Sequence, residues 1–254
     1  MPQDTFITLY DIPTTIQKGK TWSPFTWKTR YALNIKGIPY RTEWVDFPDV
    51  QSKMREIGAA PTGTRHDEPL WTVPTIYDPA TNTTVSDSDA IAHYLDAQYP
   101  STPALFPPGT AAMQKALVEF VVARLTYGPM FPLCILDIHA CFTPQVQGWF
   151  RPRTEKIVGM SLEEFYEQDG KRKEMVRELL RTLDDLNRWI EVGDGVFFGG
   201  EKPVNVDTAL AAVLTCIERT TGEDSELWKA IAKANDGRWA RFMRAFEPWQ
   251  TIDS

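Results

Sequence analysis

Cysteine is scarce in this sequence, and its spacing excludes a closed disulfide framework. Only Cys134, Cys141 and Cys216 occur among 254 residues, none of them forms a CxxC pair, and an odd number cannot pair completely within one chain. A reducing compartment is the simplest interpretation. Cys134 and Cys141 lie seven residues apart, on one face of a helix, and are expected to be small core residues.

The sequence also has no recognisable targeting signal and no recognisable membrane-spanning segment. The first residues, MPQDTFITLYD, contain neither a basic stretch nor a long apolar one, so no signal peptide is expected. No uncharged apolar run reaches the roughly 18 residues of a membrane span. These observations predict a cytoplasmic protein with no membrane partner.

Basic charge and metal-binding residues are in short supply as well. Lys and Arg number 27 against 34 Asp and Glu, which gives a net charge of −7 and argues against a nucleic-acid partner. The three histidines have no metal-ligand spacing, so no metal is expected. Apolar residues nevertheless make up 43% of the chain, enough to build a sizeable core.

The first hundred residues mix short β-rich runs with helical stretches in the order βαβ-α-ββα. The predicted strands cover residues 5–10, 42–47, 70–77 and 83–85, and the predicted helices cover Pro24–Lys36, 50–57 and 89–98. Ser23 before Pro24 marks a helix start, and Gly37 marks its end.

Four prolines within residues 100–108 then interrupt the pattern and predict a linker. The predicted organisation is an α/β domain over 1–100, a linker over 101–109 and an all-helical domain over 110–254. Its helices are expected over 111–140, 162–192, 206–219, 225–235 and 237–246. Pro129 and Pro132 should break the first of these.

The third β-rich run carries a proline, Pro74, directly after Val73. A cis Val73–Pro74 bond would expose the backbone N–H and C=O of Val73 to an added extended peptide. A trans bond would make an ordinary edge strand, and the pattern alone favours neither. Asp87 and Ser88 precede the next helix, where either one makes a good N-cap. The same helix start would attract a carboxylate, although a plain cap is the simpler interpretation.

Together these residues resemble the glutathione site of the glutathione transferase superfamily. The resemblance runs from Val73-Pro74 through Asp87-Ser88-Asp89-Ala90-Ile91 and includes the proline-rich linker and the helical second half. It implies a thioredoxin-like α/β N-terminal domain, an all-α C-terminal domain, glutathione as co-substrate and a homodimer. In that superfamily the residue before a cis-proline pairs with the cysteinyl backbone of glutathione, and an acidic residue–Ser pair holds the γ-glutamyl end. The implied contacts are therefore Val73, Pro74, Asp87 and Ser88.

The resemblance also implies a thiolate-stabilising residue at the start of the first helix. Ser23 is the candidate, and Thr21 and Thr26 are weaker alternatives. No cysteine lies there, which argues against the thiol-transfer members of the superfamily, and no tyrosine lies there either. The segment over 22–33, with 36–40, resembles a fungal class related to bacterial β-etherases.

The remaining parts of the site are less sharply marked. Arg65 and His66 are in the right place to receive the glycyl carboxylate, with a solvated loop as the alternative. The predicted border of the second substrate comprises Trp22, Phe25, Tyr127 and Phe131, although an apolar stripe on a long helix is usually core. The superfamily commonly has a Ser/Thr-x-x-Asp capping box near Val204–Asp207. Here Val204 replaces the hydroxyl residue, so Asn205 is expected to cap instead.

Three functions fit this sequence. The first is a detoxifying transferase in which the glutathione thiolate attacks a hydrophobic, aromatic electrophile. The second is a ligandin-type protein that binds hydrophobic aromatic molecules with little turnover, and the third is a structural module as in translation factors. Ser23 and the Asp87-Ser88 pair favour the first two. The second substrate itself is not encoded in the apolar residues that would surround it.

Overall fold

A computed structural model of the chain describes residues 6–17, 19–65, 67–167 and 170–253. Within these ranges the strands are β1 (Ile7–Asp11), β2 (Tyr40–Trp44), β3 (Gly63–Arg65), β4 (Glu68–Leu70), β5 (Thr75–Asp78) and β6 (Thr83–Ser86). Four of them form a mixed sheet in the order β2-β1-β5-β6, in which β1 is parallel to β2 and antiparallel to β5. β1 is buried along its whole length, as expected for a central strand.

The α-helices alternate with the strands at first and then follow one another without interruption. They are α1 (Pro24–Lys36), α2 (Val50–Glu56), α3 (Ser88–Gln98), α4 (Ala111–Val121), α5 (Phe131–Ala140), α6 (Pro144–Val158), α7 (Leu162–Glu167), α8 (Arg172–Ile190), α9 (Asn205–Thr221) and α10 (Glu226–Phe246). This is a thioredoxin-like α/β unit followed by a helical unit, as the sequence predicts. α1 packs against both α3 and α9, so it lies at the junction of the two halves.

The predicted bounds of α1 are confirmed. Ser23 occupies the N-cap, Pro24 begins the first turn, and Gly37 ends the helix with a φ of 64° that glycine adopts without strain. The prediction for the second strand is shifted, because β2 covers Tyr40–Trp44 and a short 3₁₀ turn over Phe47–Asp49 follows it. Pro48 within that turn has no N–H to donate to a ladder.

Other elements depart further from the sequence pattern. The β-rich run over 70–77 divides into the end of β4 and the whole of β5, and β4 pairs with β3 in a hairpin that the pattern did not predict. The helix expected over 162–192 is two helices, with Gly170 at a φ of 81° between them. α6 was not predicted at all, because Gly148 and Pro152 weaken its helical pattern.

The long helical run that begins at Ala111 is broken as its prolines predict. A π-helical stretch over Val122–Met130 separates α4 from α5, and Gly128 within it has a non-helical ψ of −120°. The run Ala111–Ala140 is long and apolar enough to cross a membrane by composition, but 56% of its most apolar window is buried within the protein. Core helices of soluble proteins meet the same criterion.

The start of α9 corrects one expectation. Val204 is the N-cap residue, and its backbone N–H donates to Asp207 at 2.9 Å, so half of a capping box is present. Asn205 does not cap: its Oδ1 accepts no hydrogen bond within the described residues, and its side-chain nitrogen donates to Asp89 at 3.4 Å. The N–H of Val206 is instead satisfied by the side chain of Gln114 from α4, at 3.1 Å.

Candidate functional site

The segments expected to hold glutathione meet near the N-terminal ends of α1 and α3. The backbone N–H of Asp87 donates to the carbonyl oxygen of Pro74 at 3.3 Å, which places the start of α3 beside the Val73–Pro74 peptide. Lys28 in α1 forms an ion pair with Asp89 in α3, which holds the helix that carries Ser23 against the same start.

Ser23 has the geometry of a hydroxyl with a free proton. Its Oγ accepts the N–H of Thr26 at 3.5 Å, and its side chain is buried at 7% exposure. Because a hydroxyl can accept and donate at once, the Ser23 proton remains available for a thiolate. Thr21 and Thr26 are completely buried, and in the described part of the chain neither hydroxyl has a hydrogen-bond partner.

The Val73–Pro74 peptide is cis, which resolves the alternative that the sequence left open. Val73 is almost fully buried, and the paired register of the sheet begins only at Thr75, opposite Tyr10. The Val73 backbone therefore lies just outside the ladder of β5, at the position where an extended peptide would add.

Asp87 has an unusual backbone conformation, with φ 80° and ψ 128°. Its Oδ1 accepts the backbone N–H groups of Asp89 at 2.9 Å and Ala90 at 3.0 Å, so it is the N-cap of α3. A strained non-glycine residue at a helix start is a recurring feature of ligand sites. The Asp87 side chain is exposed and Ser88 beside it is 7% exposed.

Opposing effects set the ionisation of Asp89. Burial alone raises the pKa of this carboxyl, but the ammonium groups of Lys28 and Lys115 outweigh burial and lower the pKa to about 2. Asp89 therefore remains a carboxylate at every physiological pH. Burial in turn lowers the pKa of Lys28, and the charge of Asp89 opposes that shift.

Of the two cations predicted to bind the glycyl carboxylate, only Arg65 lies within the described residues. Arg65 is exposed on β3 and lies opposite Glu68, at the turn end of the hairpin. His66 lies outside the described residues. A third cation, Arg55, which no sequence motif indicated, has its guanidinium 4.2 Å from the centre of the Trp71 ring, two residues before Val73.

The four residues predicted to border a second substrate fall into three separate contacts. Phe25 and Tyr127 lie together, with ring centres 5.9 Å apart, and Tyr127 is 72% exposed. Partial burial and the charge of Asp87 raise the pKa of Tyr127, so this ring lies within electrostatic reach of the start of α3. Trp22 packs instead edge-on against Phe142 at 5.6 Å, and Phe131 packs against Phe165 at 6.2 Å.

A cavity of about 530 Å³ lies elsewhere, beside β2 and α2. Its lining is mostly charged, and within it Lys53 pairs with Glu43 at 3.0 Å. None of the predicted site residues lines it. Within the described ranges, no group of three or more His, Cys, Asp or Glu side chains is arranged to hold a metal ion.

Models of known protein families match both halves of the chain. The model of the glutathione S-transferase N-terminal domain matches residues 22–98, and that of the C-terminal domain matches residues 112–249. A glutathione S-transferase-like protein, ustS, from Aspergillus flavus is 29% identical over 259 residues, covering 94% of this chain and 89% of that protein.

Solved structures of fungal proteins are more similar still. The glutathione transferase GSTFuA3 from Phanerochaete chrysosporium is 35% identical with a TM-score of 0.91, and 98% of this chain and 99% of that one are covered. A glutathione S-transferase of Ceriporiopsis subvermispora, solved in complex with glutathione, is 36% identical with a TM-score of 0.92 over the same shares of the two chains.

Proposed function

This chain belongs to the glutathione S-transferase family, and from that premise we propose that it binds glutathione and transfers it to hydrophobic, aromatic electrophiles. Ser23 stabilises the thiolate, which attacks an electrophilic carbon while the leaving group departs with the bonding electrons. The observation that carries the proposal is the hydrogen bond from Asp87 to Pro74, because it joins the two segments that would hold the glutathione backbone. The complex of the Ceriporiopsis relative with glutathione supports it.

The direction of bound glutathione follows from this bond. The γ-glutamyl end contacts Asp87 and Ser88, which lie on the Pro74 side of Val73, and the cysteinyl backbone pairs with Val73. The glycyl end must then extend toward Thr72 and Trp71.

Arg55 is the cation beside that glycyl end, because its guanidinium lies on the Trp71 ring. Arg65 and His66 stay candidates for the same carboxylate. Arg65, however, is three residues beyond Thr62, which pairs with the chain next to Trp71, and this places its backbone about 10 Å further out along the hairpin.

Thiolate stabilisation by Ser23 is energetically sufficient. A thiol with an ordinary pKa of about 8.5 needs about 2.7 kcal/mol of preferential stabilisation for a two-unit decrease. A hydrogen bond to a charged acceptor contributes about 1.5–3 kcal/mol. The start of α1 adds some tenths of a kcal/mol through its free N–H groups. No general base is required.

The electrophile is bordered by Phe25 and Tyr127, because Phe25 lies in the first turn of α1, two residues after Ser23, and Tyr127 packs against it. Trp22 adjoins Ser23 and supports the site from the aromatic cluster around Phe142. Phe131 stays a predicted contact. We expect the protein to act as a cytoplasmic homodimer.

A ligandin role is the second candidate, and the 72% exposure of the Tyr127 ring favours it, since an exposed aromatic ring offers a surface to flat hydrophobic molecules. Two measurements separate the candidates: the melting temperature with millimolar glutathione, and the rate of conjugation with a panel of aromatic electrophiles. Stabilisation with turnover supports the transferase, because a ligand that binds only the folded state raises its stability. Stabilisation by glutathione and by aromatic molecules without turnover supports the ligandin. No stabilisation by glutathione would contradict the proposal.

A further inference from the structure

A buried Lys–Asp ion pair joins the two helices that carry the ends of the proposed glutathione site. Lys28 lies in the second turn of α1 and pairs with Asp89 in the first turn of α3, with side-chain exposures of 4% and 17%. The backbone N–H of Asp89 donates to Oδ1 of Asp87 at 2.9 Å. Lys28 is therefore linked through Asp89 to Asp87, the N-cap residue of α3 that would contact the γ-glutamyl end.

Asp89 is also tied to the helical half of the molecule. Its Oδ2 accepts from Lys115 in α4 at 3.1 Å, and its Oδ1 accepts from Asn205 in α9 at 3.4 Å. Side chains from α1, α4 and α9 thus all bind the carboxylate of Asp89 in α3. A buried ion pair contributes little net stability compared with an apolar pair of the same size, so stability alone does not explain this arrangement.

We propose that Lys28 is a positioning residue of the glutathione site. By holding Asp89, it fixes the first turn of α3, with Asp87 and Ser88, at the separation from Ser23 that allows one glutathione molecule to reach both. Lys28 acts through Asp89 and does not itself contact glutathione. This assignment rests on the proposed function.

The chain contains a matched control for this idea. Lys36 and Asp96 form a second ion pair between the same two helices, with an N–O distance of 2.7 Å and side-chain exposures of 1% and 18%. Lys36 lies eight residues beyond Lys28, about 12 Å along α1 and away from Ser23. The two pairs share their residue types, their burial and their helices, and they differ in their distance from the site and in the further partners of the aspartate, which are Lys115 and Asn205 for Asp89 and the backbone of Leu105 and Phe106 for Asp96.

The test compares Lys28→Met with Lys36→Met in the full chain, measuring the melting temperature together with KM and kcat for glutathione. Both variants should lose stability, because each removes a buried lysine from a partly buried aspartate, and each aspartate keeps other partners, Lys115 for Asp89 and backbone N–H groups for Asp96. Lys28→Met should also raise KM for glutathione about ten- to hundredfold, since small misplacements of a binding group are costly, while kcat changes little. Lys36→Met should leave KM unchanged. An unchanged KM in Lys28→Met, or equal increases in both variants, would overturn the assignment.

A second variant covers the case in which Lys28→Met does not fold. Lys28→Met/Asp89→Asn removes both charges of the buried pair, and Lys115, which loses Asp89, is 53% exposed and still pairs with Glu119. It should fold and retain the raised KM, because the link between α1 and α3 is still missing. A wild-type KM in this double variant would overturn the role of Lys28. Absence of glutathione binding by the wild-type protein would instead overturn the proposed function, and this assignment with it.

Discussion

Ser23 shows how one side chain serves both the fold and the proposed chemistry. Its oxygen accepts the N–H of Thr26 and caps α1, and this bond does not use the hydroxyl proton. A residue that used its proton for the cap could not donate to a thiolate. The capping role and the catalytic role are therefore compatible, and a substitution separates them.

Replacing Ser23 by Ala should raise the pKa of bound glutathione and slow conjugation at neutral pH. The helix should survive, since Pro24 still presets its first turn and loss of a cap costs about 0.5–2 kcal/mol. Glutathione should still bind through Val73, Asp87 and Ser88. The measurement is thiolate absorbance against pH, paired with conjugation rates. An unchanged thiol pKa with unchanged rates would transfer the role to Thr21, Thr26 or a backbone N–H.

Replacing Arg55 by Met should weaken glutathione binding, whereas the same change at Arg65 should have a smaller effect. Arg55 is exposed, and a charge-assisted bond at such a position is at the low end of about 1.5–3 kcal/mol, which corresponds to an increase in Kd of about tenfold. Titration calorimetry of both variants measures it. A larger loss of glutathione affinity in Arg65→Met than in Arg55→Met would show that Arg65, on the β3–β4 hairpin, binds the glycyl carboxylate.

Short motifs could predict only those site residues whose role depends on the residues next to them in the sequence. Val73-Pro74 is marked in the sequence by its proline, and Asp87-Ser88 by its suitability as a helix N-cap. The cis form of the Val73–Pro74 bond is present in the structure. Arg55 could not be found in this way. It reaches Trp71, 16 residues later, only because α2 packs beside the chain that leads to the cis-proline.

At the scale of elements, α9 illustrates how tertiary structure replaces a missing local signal. Val204 at the N-cap has no hydroxyl, so the N–H of Val206 receives its acceptor from Gln114, 92 residues earlier. Asp207 supplies the other half of the cap, accepting three backbone N–H groups from Phe198, Gly199 and Val204. Burial nevertheless raises the pKa of Asp207 to about 7.

Replacing Gln114 by Leu should destabilise the protein by about 1–3 kcal/mol, because the buried N–H of Val206 would lose its acceptor. Gln114 also donates to Leu105 at 3.1 Å, which adds to the loss. Denaturant unfolding measures the change. Adding Val204→Thr should recover part of it, since threonine keeps the shape of valine and supplies the missing cap. Equal stability of Gln114→Leu and the wild type would contradict this account of the cap.

Sequence pattern predicted helices well where caps and periodicity coincide, and poorly elsewhere. α1 and the kink in α10 at Ala234–Gly237 carry strong signals from Ser, Pro, Asn and Gly. The β3–β4 hairpin has only three residues in each strand, all of them exposed or half-buried, so it shows no hydrophobic alternation. No local sequence pattern could therefore predict this hairpin.

At the scale of the whole molecule, the segment after α10 returns to the N-terminal half. Asn34 in α1 donates to the carbonyl oxygens of Trp249 at 2.6 Å and Thr251 at 2.9 Å. The side chain of Ile252 approaches Gly19 so closely that a Cβ there would lie 2.0 Å from it. The division into two halves could be predicted from composition, but this return could not, because no local pattern marks it.

Beneath this segment lies a buried ion pair, with Oδ2 of Asp11 at 3.1 Å from Arg30. Arg30 also donates to Tyr40, whose hydroxyl donates to the carbonyl oxygen of Thr251. The pair thus connects β1, α1, β2 and the returning segment. Burial raises the pKa of Asp11, and the charge of Arg30 opposes that shift.

Replacing Arg30 by Met should cost about 3–5 kcal/mol, because Asp11 would be left buried without its partner. The loss should grow between pH 5 and pH 8. Burial raises the pKa of Asp11, so the folded variant keeps a proton on this carboxyl that the unfolded chain releases above about pH 4, and stability then falls as pH rises. Urea unfolding at the two pH values measures the slope relative to wild type. Arg30→Met/Asp11→Asn should abolish the added slope, because no titrating group remains. A loss in Arg30→Met that is the same at both pH values would show that the pair acts through packing and not through charge.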